Sequence, residues 1–131
     1  MRQKLQEELH ELGVLIVYLF GSRANGTKTP LSDIDLGIVL RSPPPDDTRL
    51  LHQNLFRLFS DIYRKARIDI VFLQSASISL RYSAIREGKV LFEEDPVLRA
   101  DFEQEVINGY LDFKSVLEYF DQVSAERYAT V

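Results

Sequence analysis

The uninterrupted apolar run Val14-Leu15-Ile16-Val17-Tyr18-Leu19-Phe20 constrains this chain more than any other feature. It is rich in β-branched and aromatic residues, has the length of one strand, and has no polar residue to turn toward water. Such a segment is stable as a strand covered on both faces, which calls for a sheet with other elements packed against it. Ile34 to Leu40 and Arg67 to Leu73 read as further strands, and Lys89 to Phe92 as a shorter strand or extended segment.

Helical patterns fill the intervals. Leu5, Leu9 and Leu12 recur at helical spacing before Gly13, which stands where a helix C-terminus favours a left-handed residue. Leu51, Leu55, Leu58, Phe59 and Ile62 line one face of a helix that is capped by Asp46 or Asp47 and connects two strands. Ser77 to Glu87 reads as a helix ended by Gly88. Leu98, Phe102, Val106, Tyr110, Phe113, Leu117 and Phe120 recur at three- and four-residue steps, so residues 97–121 form one long amphipathic helix, followed by a polar, frayed tail over 122–131. The expected class is α/β in the broad sense (α+β): a small mixed β-sheet flanked by helices, in one domain spanning 1–131. A helix of about 25 residues measures near 37 Å at 1.5 Å per residue, longer than the side of a domain this size. The stripe Phe102, Tyr110, Phe113 and Phe120 is first of all core packing against the sheet, and an overhanging remainder over 110–121 suits a partner or a second copy.

Composition narrows the function classes. With 45% of its 131 residues hydrophobic, the chain can bury one core. No apolar run approaches the roughly 20 residues of a membrane helix, and the charged start Met1 to Glu8 lacks the apolar stretch of a secretion signal, so a cytoplasmic home is expected. There is no cysteine, hence no disulfide framework, thiol nucleophile or Cys-type zinc site, and His10 and His52 are isolated and read as surface residues. A net charge of −4 opposes non-specific attraction to nucleic acid or anionic membrane. A polyanionic ligand would therefore need metal ions or backbone N–H groups to hold it.

Such groups occur together in one segment. Gly21-Ser22 follows the first strand, and Asp33-Ile34-Asp35 opens the second. Side chains alternate along a strand, so Asp33 and Asp35 point to one side while Ile34 joins the core on the other. Asp69 lies in the apolar run Arg67-Ile68-Asp69-Ile70-Val71-Phe72-Leu73, where a carboxylate is costly without compensation. If that strand pairs beside the second, three carboxylates converge, and like charges about 4 Å apart repel by roughly 4 kcal/mol at an effective dielectric near 20. Divalent cations remove the repulsion. An all-carboxylate set suits Mg²⁺ or Mn²⁺, two ions in an in-line displacement at phosphorus. A glycine after a strand admits a phosphate close to the backbone, and turn N–H groups with the Ser22 hydroxyl can hold the β- and γ-phosphates.

The string GSRANGTKTPLSDIDLGIVL, followed by RIDIVFL, resembles the nucleotidyltransferase superfamily typified by DNA polymerase β, and within it the minimal nucleotidyltransferases that are antitoxin partners of HEPN-domain toxins. Ile85 to Leu91 and the final helix look similar to that subfamily as well. The resemblance makes Asp33, Asp35 and Asp69 catalytic and metal-binding, and Gly21 and Ser22 the phosphate-binding pair. Many relatives carry an arginine where this chain has Asn25, and Arg23 is the nearby substitute. It further implies ATP as substrate and transfer of AMP to a tyrosine of a HEPN-domain toxin, in complex with that partner.

Plainer readings stand beside these. A lone Gly-Ser is a turn and a lone D-x-D a solvated strand end in most proteins. Asp69 has Arg67 on its own face as a salt-bridge partner, Ser32 is a turn former, and Lys28 is a solvated loop lysine. The alternative function is a non-catalytic module that neutralises a partner by binding it; three retained, mutually repelling carboxylates oppose that reading. A haloacid dehalogenase-type phosphatase also begins with D-x-D, but there the first aspartate ends the first strand.

Overall fold

A computed structural model describes residues 2–21, 33–64 and 66–129. The elements are α1 (Arg2–Glu11), β1 (Val14–Phe20), β2 (Ile34–Leu40), α2 (Arg49–Ile62), β3 (Ile68–Phe72), α3 (Ile78–Glu87), β4 (Lys89–Glu93) and α4 (Pro96–Ala129). The strands form one sheet in the order β3-β2-β1-β4, with β1 antiparallel to both its neighbours and β2 parallel to β3. The expected mixed sheet flanked by helices is therefore present.

Alternation along the strands builds a core on each face. Val14 and Val17 of β1 join Ile34, Leu36, Ile38 and Leu40 of β2 and meet Leu9 of α1 with Leu55 and Phe59 of α2. On the other face Ile16, Tyr18 and Phe20 of β1 and Val39 of β2 pack with Leu73 and Ala84. The central run Val14–Phe20 is thus covered on both sides, as its composition demands. Leu15 sits where the β1/β2 register shifts between Val14 and Ile16. Gly13 has φ +80°, the left-handed conformation expected after α1, and its carbonyl accepts from Arg41 N–H at 2.9 Å.

Three local devices hold the frame. Thr48 occupies the N-cap of α2 without a side-chain bond, and Asp47 Oδ1 instead accepts from Arg49 N–H at 3.1 Å. Ser77 caps α3, its hydroxyl accepting from Leu80 N–H at 3.2 Å. Where β3 ends in a short 3₁₀ turn, Leu73–Ser75, the Gln74 amide takes over strand pairing. Leu40 N–H donates to Gln74 Oε1 (2.8 Å) and Gln74 Nε2 donates to Leu40 O (3.0 Å). Gln74→Ala is expected to strand both groups of Leu40 and to lower stability by about 1–3 kcal/mol, read as a lower urea midpoint with unchanged slope.

The last helix departs from expectation. Its first turns dock through Phe102 and the buried Val106, and Tyr110 stacks on Tyr82 of α3 with ring centroids 3.8 Å apart. Tyr18 O–H donates to Glu103 Oε1 at 2.9 Å, and Arg99 bridges Glu103 and Glu93, tying α4 to β1 and β4. Burial first, then the bond to Glu103, raises the Tyr18 phenol far above its ordinary range, so it remains a donor. Beyond Tyr110 the helix does not stop at 121: it continues to Ala129, so the tail expected to fray from 122 is helical that far. Residues 111–126 are all exposed, and Phe113 and Phe120, expected in the core, lie outside it.

Candidate active site

The carboxylates gather at one end of the sheet because of strand order. Asp35 is the second residue of β2 and Asp69 the second of β3, and the two are register partners in the parallel pair. Neighbouring strands run about 4.8 Å apart, and paired residues project to the same face. Ile34 N–H donates to Arg67 O at 2.8 Å, fixing this end of the pair. Asp33 stands just before β2, two residues from Asp35 and so on its side. That face is the one carrying Phe20, Val39 and Leu73, not the α1/α2 face.

Their environments differ. Asp33 and Asp69 are exposed, whereas Asp35 is partly buried. The expected cost of a carboxylate inside an apolar strand does not fall on Asp69, because β3 is an edge strand and the α3-side face is open there. It falls on Asp35. Burial first, then the charges of Asp69 and Asp33, hold its carboxyl above the ordinary aspartate value. No ion pair joins Arg67 to Asp69 among the described residues, which leaves the structural reading of that aspartate without support.

Gly21 completes the arrangement. It follows β1 at φ +85°, and a Cβ on it would collide with Asp35 Oδ2 and lie 3.3 Å from Asp35 Cγ. The glycine therefore serves two needs, the left-handed turn and the space that the Asp35 carboxylate occupies. Sequence reading assigned Gly21 to phosphate approach; its contact with Asp35 follows from the register Phe20↔Asp35, which no local pattern announces. Ser22 and Arg23, the other expected nucleotide-binding residues, lie outside the described residues, as do Asn25, Lys28 and Ser32. Gly37 interrupts an apolar strand, a mark of close approach, and Leu73 packs onto it, with Cδ1 2.9 Å from where a Cβ would lie.

As they stand, the three carboxylates surround this end of the sheet without closing on one point; among the described residues no group of three acidic or imidazole side chains is gathered tightly enough to hold an ion. The donor set nonetheless fits a hard divalent cation. It is all oxygen, it is open to water, and burial first, then the charges of Asp69 and Asp33, already oppose ionisation of its innermost member. A cavity of about 640 Å³ lies on the opposite face between α1, α2 and β4, lined by Leu5, Leu9, Phe59 and Val90 among others. Glu93 there is already paired with Arg99.

Comparison with known proteins places this geometry. A model of the polymerase beta, nucleotidyltransferase family matches residues 3–97, which include Gly21 and all three aspartates. None of the curated protein sequences compared with the chain matches it. Among solved structures, a toxin–antitoxin complex with AMP-PNP is similar over 93% of this chain and 97% of that one, at 25% identity and TM-score 0.72. The MntA–HepT toxin–antitoxin structure is similar over 93% and 95% at 22% identity and TM-score 0.65. A complex of tri-AMPylated Shewanella oneidensis HEPN toxin with MNT antitoxin is similar over 94% and 98% at 22% identity and TM-score 0.63. At those lower identities the likeness is one of fold. No helix among the described residues is long and apolar enough to cross a membrane. By the extent of the family match, with its fold in agreement, the chain belongs to the polymerase beta nucleotidyltransferase family.

Proposed function

We propose that this chain transfers AMP from ATP to a hydroxyl, that of a tyrosine, on a HEPN-type toxin and so acts as its antitoxin. The observation that carries the proposal is the register pairing of Asp35 with Asp69 beside a glycine whose missing side chain makes room for Asp35. Two neighbours support this choice of nucleotide and partner: one is a complex with AMP-PNP and another contains an AMPylated HEPN toxin.

In the reaction the acceptor oxygen bonds to the α-phosphorus of ATP, the bond from that phosphorus to the bridging oxygen breaks, and pyrophosphate leaves. Asp33, Asp35 and Asp69 would hold Mg²⁺, two ions in the family's manner. When bound, Mg²⁺ neutralises the carboxylates, polarises the α-phosphate and makes the acceptor hydroxyl more acidic. Asp69, exposed on the edge strand, is placed to meet the incoming hydroxyl and take its proton. Asp35, wedged against Gly21, is fixed in position and orients the site rather than relaying protons. Gly21 lets the triphosphate approach the chain closely, with Ser22 and Arg23 contributing to its binding.

Intact-mass spectrometry tests the proposal. The protein encoded beside this chain is incubated with it, ATP and Mg²⁺. A gain of whole AMP units, abolished by EDTA, is expected. Co-purification of the two proteins with no mass gain would instead make neutralisation by binding the function.

A further inference from the structure

α4 measures about 51 Å at 1.5 Å per residue, well beyond the roughly 30 Å breadth of a small domain. Along it Phe102, Val106, Gly109, Phe113, Val116, Phe120 and Val123 follow one another at steps of four and three residues, the spacing of a coiled-coil seam. The first part of this seam is used within the chain: Phe102 packs under β1, Val106 is buried, and Gly109 faces Ile78 of α3. The second part is the same stripe with nothing on it. Phe113 is 39% exposed, Val116 52%, Phe120 60% and Val123 41%, and Leu117 beside them 47%.

Charge decides what covers it. Over residues 111–126 the carboxylates Asp112, Glu118, Asp121 and Glu126 face the single cation Lys114. The positions flanking the seam carry Asp112 and Glu126 and no cation. A second copy laid antiparallel, with Phe113 against Val123, would set Asp112 beside Glu126 at both ends, like charge against like. A helix with lysine or arginine at its flanks meets complementary charge instead.

We propose that the overhanging half of α4 is a docking seam for a basic amphipathic helix of a different protein. The inference rests on the reading that the chain works on a partner protein, and it adds the surface and the chemistry of the contact. Continuity of the seam with the packed half of α4 makes the docked partner an extension of the enzyme's own helical layer, held by a rigid element rather than a loop.

Fluorescence anisotropy with two synthetic helical peptides, about three heptads long, tests it on the full chain. Both have leucine at the seam positions; one has lysine and the other glutamate at the flanks. The lysine peptide should bind at least about tenfold more tightly than the glutamate peptide, with affinity falling as salt rises. Phe113→Ser/Phe120→Ser should weaken the lysine peptide about a hundredfold while ATP binding in Mg²⁺ stays as in the unsubstituted chain, which shows the fold intact. Equal binding of both peptides, or undiminished binding by the double variant, would overturn the proposal. So would sedimentation showing a dimer of the unsubstituted chain that the double variant dissolves, since a second copy would then occupy the seam. Loss of AMP transfer as an activity would leave the peptide result untouched, so the two readings fail separately.

Discussion

Asp35→Asn is expected to lower AMP transfer about a thousandfold, equivalent to about 4 kcal/mol of transition-state stabilisation, while making the ligand-free protein more stable. The two effects have one origin. Asp35 is the most enclosed of three like charges, held between Gly21 and its register partner Asp69. Its carboxyl is raised from 3.8, by burial first and then by Asp69 and Asp33. Below 3.8 it is neutral in both folded and unfolded chains and destabilises neither. As pH rises through its folded value, the native state must ionise a group that the unfolded chain ionises more easily, and stability falls. The amide removes that fall. Its gain near neutrality is small, roughly 0.5–1 kcal/mol for a screened, partly exposed group, seen as a melting temperature a few degrees higher. Thermal unfolding between about pH 4 and pH 7 should show the downward slope in the unsubstituted chain and a shallower one in Asp35→Asn. Mg²⁺ should raise the melting temperature of the first and barely move the second. A variant that is less stable at neutral pH and insensitive to this comparison would mean that the carboxylates do not strain the native state.

Gly21→Ala should cripple the site from the other side. An alanine at φ +85° costs about 1–2 kcal/mol in the left-handed region. Its methyl would also meet Asp35 Oδ2, so the strand end or the carboxylate must shift. Misplacement of a reacting group by about 1 Å is enough to cost a hundredfold in rate, so transfer should fall by at least that much although no ligand or charge has been removed. Denaturant titration and transfer kinetics on the same preparation separate the two losses. The double variant Gly21→Ala/Asp35→Asn should be little worse than Asp35→Asn alone in activity, because both changes act through one carboxylate. Additive losses would show that Gly21 serves the nucleotide independently of Asp35.

What could be read from the sequence follows from how local each determinant is. Val14–Phe20 and Ile34–Leu40 emerge with the bounds the sequence implies, because a continuous β-prone run flanked by turn residues leaves little choice. The left-handed Gly13 was equally local. Strand order was not. Nothing within RIDIVFL says that β3 is an edge strand, so Asp69 was expected to carry a burial cost that Asp35 bears instead. Gln74 gave no sign of its clamp on Leu40, since a polar residue after a strand ordinarily turns to water. The extent of α4 is not legible in its apolar pattern, which ends near Phe120 and does not set the helix's length. Residues such as Ala125 and Glu126 favour helix without any core to pack on, and the helix runs on past the end of the sheet.

The claim that joins these observations is that nucleotide and metal bind at the Asp33, Asp35 and Asp69 end of the sheet. A crystal structure of the chain with Mn²⁺ and a non-hydrolysable ATP analogue measures this directly, because manganese scatters anomalously. Anomalous peaks among those three carboxylates, with the triphosphate lying along Gly21, are the expected result. A nucleotide seated instead in the cavity between α1, α2 and β4, with no manganese at the aspartates, would contradict it.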